Sequence, residues 1–353
     1  MTSAIETENL TKRFRPLRSY RDLVQPSHRA ERTAVSEVSL RMPPGQVFGL
    51  LGQNGAGKTT LIRMLTTLLI PTSGVARVAG FDVARDAHAV RQRIGLVSGD
   101  ERSFYWRLTG RQNLEFFAAL QHLRTAATPG RIADLAERLG ISDHLDRPFG
   151  HLSTGQRQKL AIARGLMTEP EILFMDEPTR SLDPISAVAI REFIADHIIG
   201  ELGRTVVLAT HSMPEAEALC RRLAFIQDGR IVAEGSVADL RRTIGYGIRC
   251  ELRLSPRMGT AGVDLAALPE VLAVLPGPER DEPVPTEGEA PVIVRLTLAH
   301  EEALGPVLRA LVTAGADVYF CETRDLSLEE IYVHTLAPGT ASPPSLVRQA
   351  VAR

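Results

Sequence analysis

The run Gly52-Gln53-Asn54-Gly55-Ala56-Gly57-Lys58-Thr59 fits G-x-x-x-x-G-K-[ST] in full. Its glycines let main-chain amides close around phosphate oxygens where a Cβ would clash. The helix that follows adds its positive N-terminal end. In such a loop Lys58 reaches the β- and γ-phosphates, the Thr59 hydroxyl ligates Mg²⁺, and Thr60 completes the nucleotide-binding set. A second constellation ends the apolar run Ile172–Met175 with two adjacent carboxylates, Asp176 and Glu177. Ligands gather at the carboxyl ends of parallel strands, so both acids are expected beside the phosphate loop. Asp176 is expected to hold Mg²⁺ through its water shell, and Glu177 to act as general base on an attacking water. A third, Leu152-Ser153-Thr154-Gly155-Gln156, precedes a helix expected over Arg157–Met167. Ser153 reads as its N-cap and Gly155 as a residue that frees the loop backbone, giving a second anion site. Two phosphate sites in one chain suggest one ATP held between two copies.

These groups need a scaffold that brings strand ends together. Gln46–Leu51 is a short apolar strand running into the glycine-rich loop, and LIRMLTTLL after it has helical spacing. Ile172–Met175 and Thr205–Ala209 read as buried parallel strands, and Leu223–Ile226 with Arg230–Ala233 as a hairpin turning at Asp228-Gly229. Between the first strands lies a mostly helical stretch, roughly Leu108 to Met167, with a loop at Pro148–Gly155. Beyond about residue 240, strands at Ile248–Leu254, Val292–Leu298 and Asp317–Glu322 alternate with helical patterns at Glu301–Ala314 and Leu326–Leu336. They read as a small α+β domain.

Composition excludes several classes. The chain has 353 residues, 41 Lys+Arg against 42 Asp+Glu, and 44% hydrophobic residues, which is ordinary globular usage. A net charge of −1 gives no global field toward nucleic acid, and no nucleic-acid partner is expected. No apolar run approaches the ~20 residues of a spanning helix, and MTSAIETENLTKRF lacks a signal-peptide core. Cys220, Cys250 and Cys321 lack metal-ligand spacing. Pro276–Ala290 carries four prolines and a charge of −4 and reads as a flexible loop; Arg15–Arg32 carries five arginines and reads as a solvated surface hairpin or a contact with acidic lipid headgroups or a membrane partner.

In combination and order these motifs resemble the nucleotide-binding subunit of ABC transporters, whose signature LSGGQ is LSTGQ here. The resemblance spans about residues 5–240. It implies a P-loop NTPase core of the ABC ATPase kind with a helical subdomain at about 100–167. It further implies that Ser181-Leu182-Asp183 is the loop that crosses a dimer interface, that His211 contacts the γ-phosphate, and that Phe14 stacks on adenine, with Tyr20 the alternative. As a lone residue His211 would read as an ordinary strand-end histidine. Thr154 replaces a signature glycine, which leaves Ser153, Gly155 and Gln156 to meet phosphate. The family's glutamine after I-G-x-V is absent: Ile94-Gly95-Leu96-Val97 runs into Ser98-Gly99-Asp100-Glu101. Asp100 or Glu101 is the expected replacement Mg²⁺ ligand. Phe104-Tyr105-Trp106 reads either as packing within the helical insertion or as a contact for a permease. The region 245–336 is similar to the accessory domain of ABC-2 type ATPase subunits, ending in Asp325–Tyr332, and residues 337–353 read as a tail.

The implied protein is an Mg²⁺-dependent ATPase subunit, catalytic through Lys58, Glu177 and His211, that pairs with a second such subunit as a homodimer. It powers an ABC-2 type permease, in the export direction, from the cytoplasmic face of the cell membrane. The rival readings are a nucleotide-sensing regulatory ATPase and a superfamily member acting on nucleic acid.

Overall fold

The computed structural model describes residues 3–14, 31–98, 103–123, 126–244, 248–255, 262–275, 292–299 and 301–336. The expectations for Asp100 and Glu101, Tyr20, most of the arginine-rich segment, the acidic loop and the tail therefore lie outside the described residues. The chain divides into two compact units, Met1–Val237 and Ala238–Arg353.

The first unit begins with strands β1 (Ile5–Phe14) and β2 (Arg32–Met42), then β3 (Val47–Leu51) and helix α1 (Lys58–Leu65). Next come β4 (Ser73–Val78), β5 (Phe81–Asp82), α2 (Ala87–Arg91) and β6 (Ile94–Ser98). The helical stretch holds α3 (Gly110–Leu120), α4 (Thr128–Arg138) and α5 (Thr154–Leu166). Strand β7 (Ile172–Asp176) precedes α6 (Pro184–Glu192), which continues as a π-helical turn, Phe193–Glu201. The unit closes with β8 (Thr205–Thr210), α7 (Met213–Leu219), β9 (Arg222–Gln227) and β10 (Arg230–Gly235).

Strands β3 and β8 are buried at every position and β7 at all but its last. That burial on both faces is why their sequences are unbroken apolar runs rather than alternations. They form one sheet in the order β10-β9-β3-β8-β7-β6, parallel except for the β9–β10 hairpin. The register pairs Leu51 with Thr210 and Asp176 with Ala209, so the carboxyl ends of β3, β8 and β7 lie side by side. The α/β fold expected from the sequence is present.

An antiparallel sheet, β2-β1-β4-β5, was not legible in the sequence. Register shifts interrupt β1 against both neighbours, with Asn9 at φ 48°, so the alternation of period 2 is lost. Thr7 and Thr11 are also buried on its inner side, where their hydroxyls accept from the Leu40 and Glu37 amides.

The signature helix differs from its expected start. Helix α5 begins at Thr154 rather than Arg157, after a 3₁₀ turn at Phe149–His151. Ser153 is its N-cap, as expected, and the decisive signal is a capping box: the Gln156 amide donates to Ser153 Oγ and the Ser153 amide to Gln156 Oε1. Gly155 therefore sits in the first helical turn, not in a loop.

In the second unit, α8 (Val237–Ile244) leads to β11 (Ile248–Leu254), β12 (Val271–Leu275) and β13 (Val292–Leu298). Helix α9 (Leu304–Thr313), β14 (Val318–Arg324) and α10 (Leu328–Leu336) follow. The sheet order is β12-β13-β11-β14, and Leu252, Leu254, Leu296 and Leu298 form a core with Val307 and Leu311 of α9. Strand β12, five residues whose alternation is weak, was missed.

Strand β6 meets α5 through two glycines. A Cβ on Gly95 would lie inside contact distance of the Gly165 carbonyl oxygen, with Leu173 Cδ1 at 2.7 Å behind it. Backbone cannot yield as a side-chain tip can. Gly95→Ala is expected to lower the unfolding free energy by about 2–3 kcal/mol, measured by denaturant titration.

Candidate nucleotide site

The phosphate loop leaves β3 and turns into α1 at Gly57, whose φ of 113° only glycine adopts without strain. Lys58 is the first residue of α1 and is buried. Its Nζ donates to the carbonyls of Gly52 at 2.5 Å and Gln53 at 3.1 Å. It also stands 3.9 Å from Glu177 Oε1. Burial pushes the Lys58 pKa down, while the charges of Glu177 and Asp176 push it back up. The ammonium thus folds onto its own loop, ringed by acceptors that phosphate oxygens can replace.

Asp176 ends β7 and is drawn in two directions. Burial raises its pKa, and the hydrogen bond with the Thr59 side chain opposes that. Its Oδ1 is buried without a hydrogen-bond partner. An orphaned carboxylate oxygen beside a hydroxyl is a donor set for a hard cation such as Mg²⁺. No cluster of three or more His, Cys, Asp or Glu able to hold a metal occurs among the described residues.

Glu177 adopts φ 53°, a left-handed conformation that turns its side chain back toward the loop. The strain is held by its amide, which donates to the Ala209 carbonyl at 2.8 Å. Its carboxylate is 11% exposed, with Oε1 at 3.0 Å from His211 Nδ1 and Oε2 at 3.3 Å from an Arg180 guanidinium nitrogen. His211 follows β8 and is half-exposed. Lys58, Thr59, Thr60, Asp176 and Glu177 line one cleft of about 850 Å³, with Asn54, Gly55 and Gly57 of the loop. Phe14, at the end of β1, borders the same cleft with its ring partly exposed.

Other expected residues are engaged elsewhere. Ser153 and Gln156 satisfy each other in the capping box. Gly155 packs where a Cβ would meet Ser186 Oγ at 2.9 Å. Asp183 caps α6, accepting from the Ser186 amide at 2.9 Å and its hydroxyl at 2.6 Å, which holds its pKa down. Neither Ser153, Gly155, Gln156 nor Asp183 lines the cleft; Thr154 and Gln158 do.

The sequence profile described as ABC transporter matches residues 35–180. The daunorubicin resistance ATP-binding protein DrrA3 of Streptomyces coeruleorubidus is 38% identical over 304 residues, 86% of this chain and 91% of that one. The ABC transporter ATP-binding protein NatA of Bacillus subtilis is 42% identical over 207 residues, 59% of this chain and 83% of that one. The chain belongs to the ABC transporter ATP-binding proteins. Among solved structures, cbiO1 of Clostridium perfringens, part of the transporter complex cbiONQ, superposes with TM-score 0.55 at 26% identity, over 69% of this chain and 94% of that one. The chain is thus an ATP-binding and ATP-hydrolysing subunit that powers transport through a separate membrane protein. Among the described residues no helix is long and apolar enough to cross a membrane.

Within this ABC subunit the aromatic trio splits between its two readings. Phe104 is buried and stacks on Phe149 with centroids 4.5 Å apart. Tyr105 and Trp106 are each 50% exposed, and the Arg157 guanidinium lies 4.6 Å from the Trp106 ring. Tyr105 also packs T-shaped on Phe116 with centroids 4.8 Å apart, so packing accounts for Phe104 and for part of each of the other two rings, whose remaining surface is exposed.

Sequence reasoning missed two residues of the site. Arg180 carried no motif weight, and Glu215 is one of two acids on α7 that no motif distinguishes. Glu215 is in fact buried, and its Oε1 accepts from the Thr179 hydroxyl at 2.8 Å, bracing the turn after Glu177. Thr179→Val removes that donor and strands a buried acid, so unfolding free energy is expected to fall by about 1–3 kcal/mol in denaturant titrations. Adding Glu215→Leu to that variant should restore part of the loss.

Proposed function

We propose that this subunit works as a homodimer on an ABC-2 type permease, in the export direction, at the cytoplasmic face of the cell membrane. The observation that carries its chemistry is the Glu177 carboxylate, set between Lys58, His211 and Arg180 at the mouth of the phosphate loop. Lys58 exchanges its loop carbonyls for the β- and γ-phosphate oxygens of ATP. Thr59 and Asp176 hold Mg²⁺, which when bound neutralises charge on the phosphates. Glu177 takes the proton of the attacking water through Oε1 or Oε2, and His211, already 3.0 Å from Oε1, orients that carboxylate toward the terminal phosphate. Phe14 offers the adenine a ring to stack on. Thr154 and Gln158 of α5 border this cleft, whereas Ser153, Gly155 and Gln156 do not line it in their own chain; these three are assigned to the nucleotide of a second copy, with the Asp183 turn alongside. The daunorubicin-resistance relative, aligned over most of the chain, supports export.

Two measurements test this. Glu177→Gln is expected to keep ATP binding, lose at least about a hundredfold in turnover, and elute as an ATP-bound dimer in gel filtration; undiminished turnover would remove Glu177 from the base role. Affinity purification of the tagged chain from detergent-solubilised native membranes should recover a multi-spanning protein in near-equal amount. Recovery of soluble or nucleic-acid-bound partners alone would overturn the permease assignment and leave the ATPase chemistry standing.

A further inference from the structure

Arg180 lies in the turn between Glu177 and α6, flanked by two left-handed residues, Glu177 at φ 53° and Ser181 at φ 61°. Its amide donates to the Glu177 carbonyl at 3.2 Å, so the backbone that presents the guanidinium is fixed. The side chain is not confined in the same way: it is 61% exposed, whereas the Glu177 carboxylate it meets is 11% exposed. The contact is ionic without being an aligned hydrogen bond. Glu177 Oε2 is buried and has no hydrogen-bond partner, although the guanidinium nitrogen is 3.3 Å away. Arg180 also lines the cleft that holds Lys58 and Thr59, and its charge acts on the Lys58 ammonium. A largely exposed cation thus meets Oε2 of the expected base, whose Oε1 stands 3.9 Å from the lysine expected to take the terminal phosphates.

We propose that Arg180 leaves Glu177 when ATP enters and binds the terminal phosphate from the same chain, as a second cation beside Lys58. The terminal phosphate carries more charge than one carboxylate and offers the planar guanidinium paired oxygens, so it is the stronger partner. Glu177 Oε2, with no aligned donor to lose, gives up the contact at small expense. The exchange has two effects at once. It places a guanidinium on the oxygens where charge is redistributed during phosphoryl transfer. It also uncovers Oε2 to accept the proton of the attacking water. No bond is made or broken in the exchange; hydrolysis then consumes one water and releases ADP and phosphate.

The inference rests on Glu177 as base and on the loop as the nucleotide site, and the experiment separates these. Affinities for fluorescent ATP and ADP would be measured with Mg²⁺ on the full chain in the Glu177→Gln background, where Arg180 has no carboxylate to neutralise. Adding Arg180→Ala is expected to weaken ATP about tenfold and leave ADP within about twofold, with Arg180→Lys intermediate. In the otherwise unchanged protein, Arg180→Ala is expected to reduce turnover at least about tenfold. Equal effects on ATP and ADP, no effect on either, or faster turnover would overturn the proposal, the last showing that Arg180 only restrains Glu177. Lys58→Ala serves as the control: if it still bound both nucleotides normally, the assignment of the loop, and not Arg180 alone, would have failed.

Discussion

A buried ammonium needs acceptors on every side, and Lys58 imposes that demand on the whole first unit. Its charge is removed from water at the start of α1, where loop carbonyls supply part of the solvation and Asp176 and Glu177, at the end of β7, the rest. An unpaired buried cation would lose its proton or unfold the loop. The parallel register of β3, β8 and β7 is therefore an electrostatic requirement as well as a packing one. The acceptors that satisfy Lys58 in the free protein are the ones phosphate oxygens would displace.

Holding Glu177 near that ammonium takes backbone strain. Left-handed conformations at Glu177 and Ser181 cost about 1–2 kcal/mol each for non-glycine residues. They persist because neighbouring contacts fix the turn: the Glu177 amide is held by Ala209, and Thr179 is held by buried Glu215. Each brace reaches to β8 or α7. A change on α7 would thereby be felt at the turn that carries Glu177.

The helical stretch solves a different problem, presenting the N-terminus of α5. Its capping box ties up Ser153 and Gln156, and the glycine pair Gly95–Gly165 sets α5 hard against β6. The position of α5 thus depends on the same sheet that positions Lys58. Trp106 and Arg157 stack at the start of this helix, which joins the aromatic segment to the signature turn.

The sequence by itself determined the phosphate loop, the acid pair, the three central strands and the N-cap at Ser153. Each is local: a glycine pattern, an unbroken apolar run or an S-x-x-Q spacing reports its own conformation. It also carried enough order among motifs to reveal the family. What tertiary structure alone decided is what depends on distant partners. The antiparallel sheet hid behind bulges and buried threonines whose hydroxyls are satisfied across strands. Glu215 is a core residue because a threonine 36 positions away donates to it. Arg180 meets the cleft only because two strained residues turn the chain there. Ser153, read as a phosphate contact, and Asp183, read as part of a loop crossing a dimer interface, spend their oxygens on their own helix ends in the single chain, since orphan amides at a helix start are nearer and always present.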